Sequence, residues 1–149
     1  MLTDPTLCSF ESAERFTIFT IERSEHGLDN LIREAHLSAR KLEAGDMASG
    51  LGTLHSLIEN LYDFRRFVRD VCALFSLSPD MIGDDQGTMA DSADRFRHTL
   101  YSLSDALELH NTEQLISLLN GALPEVLTRF RDLMPALRTE IAPMITDAA

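Results

Sequence analysis

The sequence predicts an all-α protein, an antiparallel four-helix bundle built from two helical hairpins with an N-terminal helical extension. Two observations predict this class: apolar residues recur at helical spacing through every long segment, and one short turn divides each half of the chain. The 149 residues suit a single domain, which at this size buries about 68–70% of its unfolded surface. We expect the first hairpin at about residues 9–75, a connector at 76–88 and the second hairpin at about 89–142.

Residues 46–75 carry the strongest helical pattern and are predicted to form the central helix. One apolar set recurs every seven residues and a second lies between its members: Leu54, Leu61, Val68 and Phe75, then Leu57, Phe64 and Val71. Four more apolar residues widen the stripe, which indicates cover on more than one side: Ile58, Tyr62, Phe67 and Cys72. Small residues at Gly50 and Gly52 would let a neighbouring helix approach closely.

Residues 9–43 form the preceding predicted helix. Its apolar residues fall on one face: Ile18, Ile21, Leu28, Ile32, Ala35, Ala39 and Leu42. Residues 16–21 are rich in β-branched and aromatic side chains and also fit a short strand. Helix is preferred because the chain offers no second strand to pair with it. Gly27 is a plausible break, whereas Gly45 and Asp46 end this helix and cap the next, which predicts a hairpin.

The second half repeats this organisation after a loop-forming connector, in which Ser78-Pro79-Asp80 fits a single helical turn. The next helix has apolar residues at steps of four and three: Met89, Ala93, Phe96, Leu100, Leu103 and Leu107. Asn111 then caps the last helical segment, with a kink or break expected near Gly121–Pro124 and an irregular end around Pro135 and Pro143. A shift of 65 residues superimposes the two patterns and places Asp46 on Asn111, which indicates a duplicated hairpin.

The charge and composition exclude several classes of partner and location. The net charge is −11, and the only dense basic patch, formed by Arg65, Arg66 and Arg69, is flanked by Asp63 and Asp70, which disfavours nucleic acid and anionic membrane as partners. No apolar run approaches the roughly 18 residues of a membrane helix, and the N-terminus lacks a signal-peptide pattern. Cys8 and Cys72 are therefore expected to be reduced thiols in a cytoplasmic protein.

The usual catalytic and metal-binding patterns are absent from the sequence. Three histidine–carboxylate pairs have i,i+4 spacing, but none belongs to a Glu-x-x-His motif of metal-binding bundles, so surface pairs are favoured: Glu22/His26, His55/Glu59 and Asp94/His98. Asp84, Asp85 and Asp91 lack the spacing of a calcium loop. There is no nucleophile elbow or phosphate-binding loop. We therefore expect no catalytic residue, no metal and no cofactor, and keep a metal or small-molecule site between the helices as an alternative.

His55 offers a second alternative, a phosphotransfer role. Leu54-His55-Ser56-Leu57 on a bundle helix resembles the phosphorylatable histidine of histidine phosphotransfer domains. That resemblance implies a basic residue three places after the histidine and a glycine next. Ile58 and Glu59 stand there instead, and Glu59 would repel a phosphoryl group.

Arginines and aromatic residues on the predicted central helix are the best candidates for contact with a partner. The candidate partner-binding residues are Tyr62, Arg65, Arg66, Phe67 and Arg69. Clustered arginines can recognise carboxylates, and further arginines fall near the corresponding place on the last helix: Arg129 and Arg131. The alternative is a solvated face paired with nearby aspartates: Asp63, Asp70 and Asp132. Either the N-terminal segment or a second subunit would cover the off-stripe aromatics, so a homodimer remains possible.

The chain resembles small acidic bacterial proteins built from tandem helical hairpins around a Glu-Ala-Gly-Asp turn, here residues 43–46. It is also similar to flagellar-type export chaperones in size, acidity and helix length. These resemblances imply a place in motility or secretion systems. Together with the absence of catalytic patterns, they predict a non-enzymatic adaptor, chaperone or regulator that presents helical faces to a protein partner.

Overall fold

Helix accounts for 85% of the chain, and the all-α class predicted from the sequence is confirmed. A computed structural model describes the backbone of residues 5–148 and the side chains of residue 21 and residues 23–141. The elements follow in the order α1 (Pro5–Glu43), α2 (Met47–Leu74), a 3-10 turn (Pro79–Met81), β1 (Gly83–Asp84), β2 (Gly87–Thr88), α3 (Met89–Glu108), α4 (Thr112–Asn120) and α5 (Ala122–Ala148).

The first helix is one uninterrupted element. α1 runs through Gly27, so the break expected at that glycine is wrong. Residues 16–21 are helical, in agreement with the preferred interpretation of that segment. The break fails because a single glycine weakens a helix by only about 1 kcal/mol. The buried Ile21, Leu28 and Leu31 on either side of Gly27 hold the helix against the core.

The turns that end α1 and α3 have the same hydrogen-bonding pattern, 65 residues apart. Gly45 adopts φ 82° and His110 adopts φ 52°, the left-handed conformation that closes a helix. The next residue caps the following helix in both turns: Asp46 accepts from the Ser49 N–H at 3.4 Å, and Asn111 accepts from the Gln114 N–H at 3.1 Å. The predicted turns and caps are therefore confirmed.

The last helical segment is broken just before Pro124, within the range that the sequence predicts. α4 ends at Asn120, and α5 begins at Ala122, so Pro124 lies in the first turn of a helix, where its missing N–H has no partner to lose. The expected irregular end around Pro135 and Pro143 is wrong, because α5 continues through both prolines to Ala148. Burial of Met134 and Leu137 beside Pro135 offsets the lost hydrogen bond.

The connector contains a small hairpin that the sequence analysis missed. β1 and β2 pair antiparallel, with Gly83 opposite Thr88 and Asp84 opposite Gly87. A side chain at Gly83 would lie 2.5 Å from the Gly87 carbonyl oxygen, so only glycine permits this approach. Thr88 then caps α3 through a reciprocal capping box with Asp91.

The central position belongs to α1 rather than to the predicted α2. α1 packs against α2, α4 and α5, and α3 packs against α4 and α5, whereas in the described part of the chain the backbone of α2 comes close over more than a few residues only to that of α1. The predicted core positions of α2 are nevertheless buried, from Leu54 to Phe75. Tyr62 is the exception on the widened stripe, with 41% of its surface exposed. In the described part of the chain, no helix has the length and apolar character needed to cross a membrane.

Polar contacts join α1 to the last two helices. Asp29 accepts from Arg131 at 2.6 Å and Glu25 accepts from Arg138 at 3.1 Å, both between α1 and α5. At the far end of α1, the Asn120 side chain of α4 donates to Glu43 at 3.3 Å. These pairs lie at the edges of an apolar interface and fix the register of α1 on its neighbours.

The two glycines of α2 should respond oppositely to alanine. A methyl group at Gly50 would lie 2.8 Å from Leu42 Cδ2 and 3.3 Å from the Leu42 backbone nitrogen, whereas one at Gly52 would meet nothing within 4 Å. Gly52→Ala should raise the free energy of unfolding by about 0.5–1 kcal/mol through helix propensity. Gly50→Ala should be less stable than Gly52→Ala by about 1–3 kcal/mol, because it overpacks the α1–α2 contact. Urea unfolding of both variants measures this difference, and equal stabilities would contradict the close helix approach.

Candidate functional site

Three phenylalanine rings meet where α2, α3 and α5 face one another. The ring of Phe64 lies 5.4 Å from that of Phe130 and 6.3 Å from that of Phe96, and the Phe96 and Phe130 rings are 5.6 Å apart. All three contacts are edge-to-face, the arrangement that aromatic quadrupoles favour. Because the rings fill the space between the helices, the backbones of α2 and α3 stay apart along almost their whole length.

An apolar groove of about 340 Å³ lies beside this aromatic cluster, between α2 and α3. We call it the α2–α3 groove. Its lining comes from four positions of α2, three of α3, one of α5 and the 3-10 turn: Arg65, Val68, Arg69 and Cys72; Met89, Ala93 and Phe96; Phe130; and Pro79. A concave, mostly apolar site of this size with few polar groups is the usual form of a binding site.

Among the described residues, the charged groups that line the groove are two arginines. Arg65 and Arg69 are both exposed, and neither makes a hydrogen bond or an ion pair within the described part of the chain. No carboxylate of the described side chains lines the groove. In a chain of net charge −11, this is a local site of uncompensated positive charge.

Cys72 lies in the wall of the groove, and only 5% of this residue's surface is exposed. Burial raises the pKa of this thiol, because the apolar surroundings disfavour the thiolate. Cys72 is therefore a packing residue of low reactivity, as the sequence predicts. Because it lines the groove, its rate of alkylation reports whether the groove is covered.

The structure brings together only some of the predicted partner-binding residues. Arg65 and Arg69 line the groove, whereas Arg66 points to solvent and lies 3.9 Å from Asp63. Tyr62 is exposed one turn before Arg66, outside the groove lining. Phe67 lies on the other flank of α2, half-buried against the core. The predicted pairing of the arginine patch with aspartates is thus found for Arg66 alone on this helix.

The groove residues of α3 and α5 were missed as a site because the sequence marks them as core. Met89, Ala93 and Phe96 lie on the predicted apolar face of α3, and Phe130 lies on that of the last helix. Their spacing predicts burial and they are buried or half-buried, but periodicity cannot show that two neighbouring helices stand apart.

A second, larger cleft of about 560 Å³ lies between α3 and α5. It is lined by charged groups of both signs: Arg95 on α3, with Glu125 and Asp132 on α5. This mixed charge gives no preferred sign of ligand. The smaller α2–α3 groove is therefore the better candidate for a binding site.

Arg129, at the edge of this cleft, clamps the connector hairpin to α5. Its Nη1 donates to Asp84 Oδ2 at 2.7 Å, and its Nη2 donates to the other carboxylate oxygen of Asp84 and, at 2.9 Å, to the Gly87 carbonyl. The Arg129 side chain is only 15% exposed. These Arg129 hydrogen bonds, followed by one from the Gln86 N–H, lower the pKa of Asp84 to about 2. Arg129 and Arg131 are thus used inside the fold and are not free for a partner.

The alternative sites lack supporting groups. The His55 side chain is 79% exposed and lies 3.6 Å from Glu59, a carboxylate that would repel a phosphoryl group. Asp84 is held by Arg129 and Asp91 by the Thr88 N–H. Within the described side chains, no group of three potential metal ligands comes together.

Comparison of the chain with protein-family models, with curated proteins and with solved structures finds no match. The candidate function therefore depends on the geometry of the site alone.

The Asp84–Arg129 clamp should make stability depend on pH in acid. The pKa of Asp84 is about 2 in the folded protein and about 3.9 in an unfolded chain, so the clamp stabilises the fold above about pH 4 and this contribution is lost as the pH falls toward about 2. Asp84→Asn should be less stable than the wild type near neutral pH, and the difference should shrink toward pH 2. Urea unfolding across this range measures it.

The matched control is Asp85→Asn, which makes the same charge change at an exposed neighbour without a partner among the described residues. Its stability should follow that of the wild type at every pH. Equal effects of the two substitutions near neutral pH would show that the clamp does not stabilise the fold.

Proposed function

We propose that this protein is a non-enzymatic interaction module that binds a protein partner by accepting an amphipathic helix of that partner in the α2–α3 groove. The observation that carries the proposal is an apolar floor beneath two exposed arginines that have no partner in the described structure. Helix-in-groove recognition uses this combination of apolar anchors and charged rim. The role would be that of an adaptor, chaperone or regulator, in the cytoplasm.

The apolar anchors supply most of the affinity in such a complex. A groove of about 340 Å³ accepts about two or three large side chains from one face of a helix. Burying two of them contributes about 3–6 kcal/mol before the entropic cost of association. The aromatic floor formed by Phe96 and Phe130 is already ordered by its own packing, so little side-chain entropy is lost on binding.

A second copy of this chain fits the groove less well than a different protein does. In a symmetric dimer whose two-fold axis passes through the groove, Arg65 and Arg69 of one copy would lie close to those of the other. Like charges so close are unfavourable. A homodimer through another surface would leave the groove open to this partner.

The proposal includes a four-helix antiparallel arrangement of α1, α2, α3 and α5. The ion pairs between α1 and α5 support opposite directions for these two helices, because Glu25 pairs with Arg138 and the later Asp29 pairs with the earlier Arg131. Short turns join α1 to α2 and α3 to α4, as antiparallel hairpins require. The groove would then run between two antiparallel helices.

Selection from a displayed library of helix-biased peptides of about 18 residues, about five turns, tests the proposal directly. Peptides selected on the wild type should carry apolar residues at i, i+3 or i+4, and i+7. Their affinity should fall by about tenfold or more for Ala93→Trp, which fills the groove from α3. Ala73→Trp is the matched control, because Ala73 is exposed on α2 outside the lining. It should bind as the wild type does.

A second measurement uses a protein whose groove residues are all unchanged, so its result does not depend on whether a groove variant folds. In the Cys8→Ser protein, a bound peptide should slow alkylation of Cys72, because the peptide covers its wall of the groove. Failure to select a helical binder, binders unaffected by Ala93→Trp, or unchanged alkylation in the complex would each contradict the proposal. So would a dimer of the wild type that Ala93→Trp dissociates, since the groove would then hold a second copy.

A further inference from the structure

We infer that the helix accepted by the α2–α3 groove is acidic and carries two carboxylates one helical turn apart, which pair with Arg65 and Arg69. This inference rests on the proposed function and adds the chemistry of the partner. It depends on the spacing of the two arginines, on their lack of internal partners and on the charge of the groove.

The spacing of the arginines sets the spacing of the carboxylates. Arg65 and Arg69 are four residues apart on α2, so they are displaced by about 6 Å along the helix axis. Two acidic residues at i and i+4 of a partner helix have the same displacement. A helix that lies along the groove at the usual shallow crossing angle can therefore meet both guanidinium groups at once.

The arginines are available for this role because the fold does not use them. Several other arginines are paired within the chain, among them Arg66 with Asp63 and Arg97 with Asp94. Arg65 and Arg69 have no ion pair in the described part of the protein, although acidic residues outnumber basic ones by 24 to 13. The guanidinium plane binds a carboxylate through two parallel hydrogen bonds, which makes arginine suited to this recognition.

Charge at the rim of a groove governs specificity and association rate more than affinity. The apolar anchors hold the helix, and the arginines discriminate between an acidic and a basic or neutral helix with the same anchors. The pairs remain partly exposed, so added salt should weaken the complex.

The experiment uses the same displayed library, with its non-anchor positions randomised, and selects separately on the wild type and on the double variant Arg65→Gln/Arg69→Gln. Selection on the wild type should enrich Asp or Glu at two positions four residues apart beside the apolar stripe. Selection on the double variant should give the same stripe without that enrichment. The affinity of the acidic peptides should fall by about tenfold in the double variant.

Arg66→Gln is the matched control, because Arg66 has the same charge on the same helix but lies outside the groove lining. It should change the affinity by less than about twofold. Replacing both peptide carboxylates by amides should remove most of the effect of the double variant. Raising the salt from about 0.15 M to about 1 M should weaken the acidic peptide and leave its amide counterpart nearly unchanged.

The result that overturns the inference differs from the one that overturns the proposed function. The inference fails, and the proposed function stands, if the peptides lose affinity for Ala93→Trp but show no preference for acidic residues. The same conclusion follows if their affinity falls equally in Arg66→Gln and in the double variant. Peptides insensitive to Ala93→Trp would overturn both.

Discussion

The edge-to-face cluster of Phe64, Phe96 and Phe130 is the interaction on which the rest of the candidate site depends. The three rings lie 5.4 to 6.3 Å apart and come from three different helices. Such rings bury large apolar areas and cannot be compressed into the volume of aliphatic side chains. They hold the fold together from inside and at the same time keep α2 from closing onto α3, and the groove is the space that remains.

The connector has a second role in this arrangement, because it closes one end of the groove. Pro79 lines the groove, and the hairpin that follows it is held to α5 by Arg129 through Asp84 and the Gly87 carbonyl. A two-residue hairpin is not stable alone. The ion pair therefore fixes a segment that the local sequence would leave loose, and α3 starts from a defined position.

The sequence predicts the local structure well because helix periodicity, caps and turn residues are local signals. Asp46, Asn111 and Gly45 act as predicted. The errors at Gly27 and Pro135 arise because burial in the tertiary structure outweighs local helix-breaking preference.

The candidate site could be predicted only in part. Arg65 and Arg69 stand out as cations in an acidic chain, but the groove between them and α3 depends on interhelical distances that no local pattern contains. Phe67 and Tyr62 illustrate the limit: both are aromatic and off the main stripe, yet one is half-buried against the core and the other is exposed. The ion pairs of Arg129 and Arg131 join residues 45 and 102 positions apart, which the analysis of single helices cannot anticipate.

If the aromatic cluster holds α2 and α3 apart, the distance between these helices should shorten when one of its rings is removed. Asp70 and Arg97 are exposed positions on α2 and α3 that can be replaced by cysteine and spin-labelled, after Cys8→Ser and Cys72→Ser remove the native thiols. Double electron–electron resonance then measures the distance between the two labels. In a Phe96→Ala variant whose circular dichroism shows that it remains helical, the distance should be shorter than with Phe96 present, because α2 moves into the vacated space. An unchanged distance in that folded variant would contradict this role of the cluster.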